Sequence, residues 1–229
     1  MPTRATEIGD RTGAVRERIA RAAARAMRPE GSVRMIVASK TQPAVAIRAA
    51  YDAGAREFGE NYVYEGAAKK SELADLNDIR WHLIGHLQTN KARLAVETFA
   101  MIQTVDSPRV AAAIRRAFGR TDVDVLIEVN IANEASKSGA RPSDLNSLVE
   151  TIRDDVRVAG LMTIPPPGEP DKSRAHFVHL REVRDRVAAQ SGLKMTELSM
   201  GMSDDFEIAI GEGATMVRIG RAIFGERSQ

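Results

Sequence analysis

Strand-like and helix-like segments alternate along this chain without a break. Short runs rich in Val, Ile, Leu and Phe predict strands at 33–38, 57–59, 80–84, 101–105, 123–129, 156–163, 197–200 and 216–219. Stretches with helical apolar spacing predict helices at 43–53, 63–74, 90–97, 108–118, 142–152, 172–190 and 204–210. Pro43, Pro108 and Pro142 suit first helical turns, where a backbone N–H has no partner to lose. Repeated strand–helix–strand units imply parallel pairing through right-handed crossovers. Eight such units in 229 residues fit an α/β fold, a single (β/α)8 TIM barrel. The alternative is an open doubly wound sheet. Against it, neither G-x-G-x-x-G nor G-x-x-x-x-G-K-[ST] occurs in the chain. The one loop-like run, Pro165-Pro166-Pro167-Gly168, follows the sixth strand.

Ahead of the first strand, residues 1–30 predict an extra N-terminal helix packed on the barrel. Val15, Ile19, Ala22 and Ala23 fall on one stripe with arginines elsewhere. Acidic Glu7, Asp10 and Glu17 interrupt the basic face, so a membrane-surface helix is the weaker reading. The segment also lacks the apolar core of a secretory signal. Residues 1–229 are expected to form one domain, because a barrel takes most of this length and leaves no room for a second large unit.

Composition removes several function classes. With no cysteine there is no disulfide framework, thiolate zinc site or cysteine nucleophile, which suits a cytoplasmic protein. A net charge of +2 is too small for a nucleic-acid footprint. No apolar run approaches the roughly 20 residues that span a bilayer.

Function in such barrels lies where strands end and loops begin. Those ends carry Ser39-Lys40, Glu60-Asn61, Gly85-His86, Asn130 with Lys137 in its loop, Met162-Thr163, Met200-Gly201-Met202-Ser203-Asp204-Asp205, and Arg218 with Gly220-Arg221. Lys40 follows an apolar strand and is either a surface lysine or an amine whose stem enters the barrel mouth. Burial favours a neutral amine, and a neutral amine forms Schiff bases with carbonyl compounds. Gly201 permits close backbone approach, and Ser203 is placed to cap the helix expected from 204. The same loop, with Gly220 after strand eight, is equally suited to phosphate. Arg218 lies within an apolar strand and needs an anion or strong acceptor, a barrel carboxylate such as Glu128 being one candidate. Four histidines give no metal-binding pattern: His176 and His179 read as a solvated helix face, His82 as a core residue and His86 as a rim residue.

Several stretches together resemble one family. They are VASKTQP (37–43), FGENYV (58–63), WHLIGHLQTNK (81–91), VNIANEASKSG (129–139), GLMTI (160–164), LSMGMSDDFEIAI (198–210) and VRIGRAIFG (217–225). The chain resembles the YggS/PROSC family of pyridoxal 5′-phosphate (PLP) homeostasis proteins, which look like the barrel domain of alanine racemase, a fold type III enzyme. The resemblance implies that PLP is held covalently on Lys40 as a Schiff base and that Asn61 lies near its ring. It implies phosphate contacts from Ser203 and from Gly220 and Arg221, the last two through backbone N–H. It also implies that Arg218 faces the pyridine nitrogen and that Met200 and Gly201 line the site. One departure is Ala214, where close relatives often have serine, so no hydroxyl contact is expected there.

An arginine is always charged, so a pyridine nitrogen facing Arg218 stays unprotonated. An unprotonated ring is a weak electron sink, which disfavours transaminase chemistry. The resemblance therefore implies a cytoplasmic PLP carrier that supplies PLP-dependent apoenzymes and is not an enzyme; the alternative is an amino-acid racemase of the alanine racemase type. Racemization there needs a second base, a tyrosine from a separate domain of a partner subunit. No such domain is expected here, and Tyr51, Tyr62 and Tyr64 lie in or beside early helices. His86 or Lys137 could take the acid role. A monomer is expected, since the partner-built site of the racemases has no counterpart.

Overall fold

The structure, a computed structural model, describes residues 2–118, 123–134, 137–166, 168 and 170–226. Pro167, together with Ala135 and Ser136 of one quoted stretch, lies outside the described residues. Eight parallel strands close into a barrel in sequence order. They are β1 (Arg34–Ala38), β2 (Glu57–Glu60), β3 (Arg80–Leu83), β4 (Met101–Val105), β5 (Asp124–Glu128), β6 (Arg157–Met162), β7 (Glu197–Ser199) and β8 (Met216–Ile219). Helix α1 (Arg4–Arg25) precedes the barrel. The helices that follow the strands are α2 (Ala44–Asp52), α3 (Val63–Glu72), α4 (Ala92–Thr98), α5 (Pro108–Phe118), α6 (Leu145–Ile152), α7 (Pro170–Ser191), α8 (Phe206–Gly211) and α9 (Arg221–Phe224). The open doubly wound alternative is thereby excluded, because β8 pairs with β1, Ile36 beside Arg218 and Val37 beside Ile219.

Alternation along each strand sorts side chains into two layers. Outward residues Val37, Phe58, Leu83, Ile102, Ile127, Leu161, Leu198 and Val217 join the core shared with the helices. Phe58 and Trp81 sit there with ring centroids 5.9 Å apart. Inward residues Ile36, Met101, Leu126, Met162 and Met216 form a separate apolar plug. Buried Arg218, Ser199, Gln103 and His82 interrupt that plug. Helix α1 buries Ile8, Thr12, Val15, Ile19, Ala22 and Ala23. It lies against α2, α8 and α9, the helices that flank the closure of β8 on β1.

Element edges moved where local chemistry overrode apolar spacing. Pro142 precedes α6 instead of starting it, because residues 142–144 form a turn before Leu145. A 3-10 turn (Thr89–Lys91) precedes α4, and α8 begins at Phe206. Ser203 does not cap α8. Its hydroxyl accepts from the Ala222 N–H of α9 at 3.2 Å, while Asp205 Oδ1 accepts from the Met202 N–H at 2.7 Å. Among the described residues no helix is long and apolar enough to cross a membrane.

Candidate functional site

The C-terminal mouth of the barrel opens into a cavity of about 670 Å³, within the size range of small-molecule sites. Lys40 and Gln42 reach it from the loop after β1, Asn61 from the end of β2, Ser203 from the loop after β7, and Arg218, Gly220 and Arg221 from β8 and beyond. Six of the eight residues singled out in the sequence thus share one wall. Met200 and Gly201 do not line the cavity. Met200 is fully buried in the outer core, and Gly201 is buried against Ala209 and Phe206 of α8.

The turn that presents Lys40 is locally strained. Thr41 adopts φ 65°, a left-handed conformation that is costly for a β-branched residue. Helix α3 holds it there. Glu65 Oε1 accepts from the Thr41 N–H at 2.6 Å, and Lys69 Nζ donates to the Ser39 carbonyl at 2.8 Å. Lys69 also contacts Glu60 Oε1 at 2.9 Å and Glu65 Oε1 at 2.7 Å, and the Ser39 hydroxyl donates to Glu60 Oε1 at 2.6 Å. Burial raises the Glu60 carboxyl above its ordinary range, although Ser39 and Lys69 pull it down.

Two glycines make room for the loops around the mouth. At Gly201, φ is 92° and an added Cβ would lie 2.6 Å from Ala209 Cβ, so only glycine fits the β7 loop against α8. At Gly85, a Cβ would lie 2.3 Å from the Asn61 carbonyl oxygen, so the β3 end can close on the β2 end only without a side chain.

Arg218 is almost fully buried. Its Nη1 donates to Ser199 Oγ and its Nη2 to the Thr163 carbonyl, each at 2.7 Å. Burial pushes its pKa down to about 10, opposed by Glu128 and Asp205. The guanidinium remains cationic at neutral pH. Glu128 acts on it through space; its own carboxyl is raised first by burial and then by Asp106. The Arg221 side chain pairs with Asp204 and Glu226, while the backbone N–H that meets the Ser203 hydroxyl is that of the next residue, Ala222.

His86 and Lys137 do not line the cavity. His86 is exposed with Nδ1 3.8 Å from Asp106, and Lys137 Nζ lies 2.9 Å from Glu134. Sequence reasoning missed Ala38, Ile84, Ile164, Met202, Phe224 and Glu226 as cavity residues. For Ile84 and Ile164 the signal was available, since Ile84 directly follows β3 and Ile164 lies two residues past β6.

Residues 11–228 match the family described as alanine racemase, N-terminal domain. A pyridoxal phosphate homeostasis protein of Pseudomonas aeruginosa is 44% identical over 225 residues, 96% of each chain. Among solved structures, PipY of Synechococcus elongatus with PLP bound is 40% identical with a TM-score of 0.77, covering 90% of this chain and 100% of that one. Alanine racemase from Corynebacterium glutamicum is 15% identical with a TM-score of 0.75, covering 97% of this chain and 61% of that one, a likeness of fold. The chain belongs to the alanine racemase N-terminal domain family, among the members named pyridoxal phosphate homeostasis proteins.

Proposed function

We propose that this chain binds PLP at the barrel mouth, holds it on Lys40, and serves intracellular PLP homeostasis by supplying apoenzymes from the cytoplasm as a single-domain monomer. The observation that carries this reading is the meeting of Lys40 and Arg218 in one cavity, with Ser203 and Gly220 beside them. An amine, a fixed cation and a hydroxyl beside a close-approach glycine match the aldehyde, the ring nitrogen and the phosphate of that cofactor. The PLP-bound PipY structure and the names of the homeostasis relatives support it.

In this reading Lys40 would hold the cofactor, whose aldehyde would supply a carbonyl able to condense with the amine with loss of one water. Asn61 borders the ring. Ser203 and the backbone at Gly220 and Arg221 hold the phosphate. Arg218 would face the ring nitrogen and keep it unprotonated, which would suit storage better than carbanion chemistry. Met200 and Gly201 support this wall from behind.

The test is uptake of PLP by the purified chain, with absorbance read before and after borohydride. Wild type is expected to show a Schiff-base band that borohydride fixes to Lys40, and Lys40→Ala to lose it. A colourless protein that takes up no PLP would overturn the reading. Conversion of L- to D-amino acids at about 1 s⁻¹ or faster would replace the carrier with a racemase.

A further inference from the structure

A line of buried polar side chains crosses the apolar plug of the barrel, and none of them except Arg218 touches the cofactor cavity. Ser199 Oγ lies 2.7 Å from Arg218 Nη1 and 2.7 Å from Gln103 Oε1. Gln103 Nε2 lies 3.1 Å from His82 Nδ1, and His82 Nε2 lies 2.8 Å from Glu57 Oε2. That last contact has the distance of a hydrogen bond but not its regular angle. Ser199, Gln103 and His82 are fully buried.

The direction of this line is not a free choice. Arginine can only donate, so Ser199 Oγ accepts from it. The single hydroxyl proton of Ser199 then points to Gln103 Oε1. With its oxygen committed to Ser199, Gln103 turns its amide N–H toward His82 Nδ1, which must accept. The imidazole proton is left on Nε2, facing Glu57. Every donor and acceptor is assigned by the charge at one end. We propose that Ser199, Gln103 and His82 are positioning residues for Arg218, aligning its guanidinium through one directed hydrogen-bond line that starts at Glu57. The bearing on PLP rests on the function proposed above.

The surroundings favour the required tautomer. Burial disfavours the imidazolium of His82, although Glu57 favours it. Arg34 on β1 and Arg80 on β3 also face this histidine and disfavour its charge. Burial raises the Glu57 carboxyl, but His82, Arg34 and Arg80 bring it below its ordinary range, so it stays an acceptor. Arg34 is shared with Glu197 at 2.8 Å. A proton placed on His82 Nδ1 would force the Gln103 amide to reverse. Its NH2 would then face Ser199 Oγ, which already accepts from Arg218, and the hydroxyl proton would lose its acceptor.

The line also joins two openings. Glu57 lines a second cavity of about 810 Å³ beneath α1, together with Arg16, Arg28, Ile19 and Met35. The cofactor wall is therefore connected to the opposite face of the barrel by a run of polar contacts.

The experiment uses the full chain labelled with 15N-histidine, without and with PLP. The expected result is a neutral His82 with its proton on Nε2 at pH 7.5. Gln103→Met, which cuts the line in its middle, is expected to weaken PLP binding about tenfold by equilibrium dialysis, the scale of one hydrogen bond to a charged group. Borohydride fixation on Lys40 should persist in that variant. Gln103→Glu should convert His82 to the doubly protonated ring. If Gln103→Met fails to fold, Ser199→Ala breaks the same line one bond closer to Arg218 and gives the same readouts. The proposal is overturned by an Nδ1-protonated His82 in wild type, or by folded variants whose PLP affinity and absorbance equal those of wild type. If wild type takes up no PLP, the proposed function fails and the His82 tautomer alone decides the line.

Discussion

Lys69 Nζ lies 2.8 Å from the carbonyl oxygen of Ser39, the residue directly before Lys40. A lysine on α3 thus holds the backbone that presents another lysine to the barrel mouth. Because Lys69 also meets Glu60 and Glu65, it neutralises two carboxylates that the turn needs as acceptors.

Removing that ammonium should strand a buried charge. Lys69→Met is expected to lose about 3 kcal/mol of stability at pH 7. The Glu60 pKa is already raised by burial, and without Lys69 it rises further. A carboxyl with a raised folded pKa binds more protons folded than unfolded, so its penalty shrinks as pH falls toward the ordinary carboxylate range. Urea melts at pH 7 and pH 5 should show the variant's deficit narrowing; a deficit that widens on acidification refutes the assignment.

The strain at Thr41 can be measured separately. Thr41→Gly should relieve the left-handed penalty and stabilise the fold by about 1 kcal/mol, after the larger backbone freedom of glycine in the unfolded chain is deducted. Denaturant midpoints compared with wild type test this, and a loss of stability would show that Thr41 is not strained.

Gly201 and Gly211 should respond oppositely to alanine. At Gly201 the added carbon meets Ala209 and Phe206, and φ is 92°. Gly201→Ala is expected to cost about 2 kcal/mol or more. At Gly211, the last residue of α8, nothing lies within 4 Å of the added carbon. Gly211→Ala should gain about 0.5 kcal/mol. Thermal melts of the two variants provide the comparison.

His82 predicts one part of the acid sensitivity. Its folded pKa is lowered, so the unfolded chain binds more protons once pH drops below about 6.5. Its contribution is complete above that pH and lost as pH falls toward the folded value. His82→Gln should flatten the stability profile between pH 7 and 5, read by urea melts, whereas an unchanged slope would mean that His82 titrates normally. Glu57, whose folded pKa is also lowered, acts in a more acidic window, below about 4.3.

The phosphate assignment separates backbone from side chain. Arg221→Ala should change PLP affinity little, because that guanidinium is engaged by Asp204 and Glu226. Ser203→Ala should weaken it about tenfold, the cost of one hydrogen bond to a charged group. Equilibrium dialysis of the two variants checks the order.

The barrel was legible because its signal is repetition. The strands predicted at 101–105 and 216–219 coincide with β4 and β8 residue for residue. Helix α9 was not legible, since Arg221–Phe224 is barely one helical turn and leaves no period to read. Ser203 was assigned to the wrong helix because its partner, the Ala222 N–H, comes from the neighbouring unit that follows β8. Lys40, Asn61, Ser203 and Arg218 could be named from strand ends and motif likeness. Met200 could not be placed: within a strand-to-loop transition, the choice of inner or outer face depends on pleat, and here it turns to the helices. The line from Glu57 to Arg218 was invisible, for its members are single polar residues on five strands whose closeness exists only after closure.

That closure sets an order in time. β1, whose following loop carries Lys40, is made early, whereas β8 carries Arg218 and is made last among the barrel strands. Chains emerge from the ribosome N-terminal part first, and contacts of long sequence separation form late. If Lys40 holds the cofactor as proposed, a nascent chain exposes that amine long before it owns the cation, the glycine and the hydroxyl that would retain an aldehyde. On that reading, stable retention of the ligand would begin only when the final strand docks beside the first. The bound chromophore would consequently report completed folding, and a truncation before β8 should leave a chain that reacts with aldehydes without storing them.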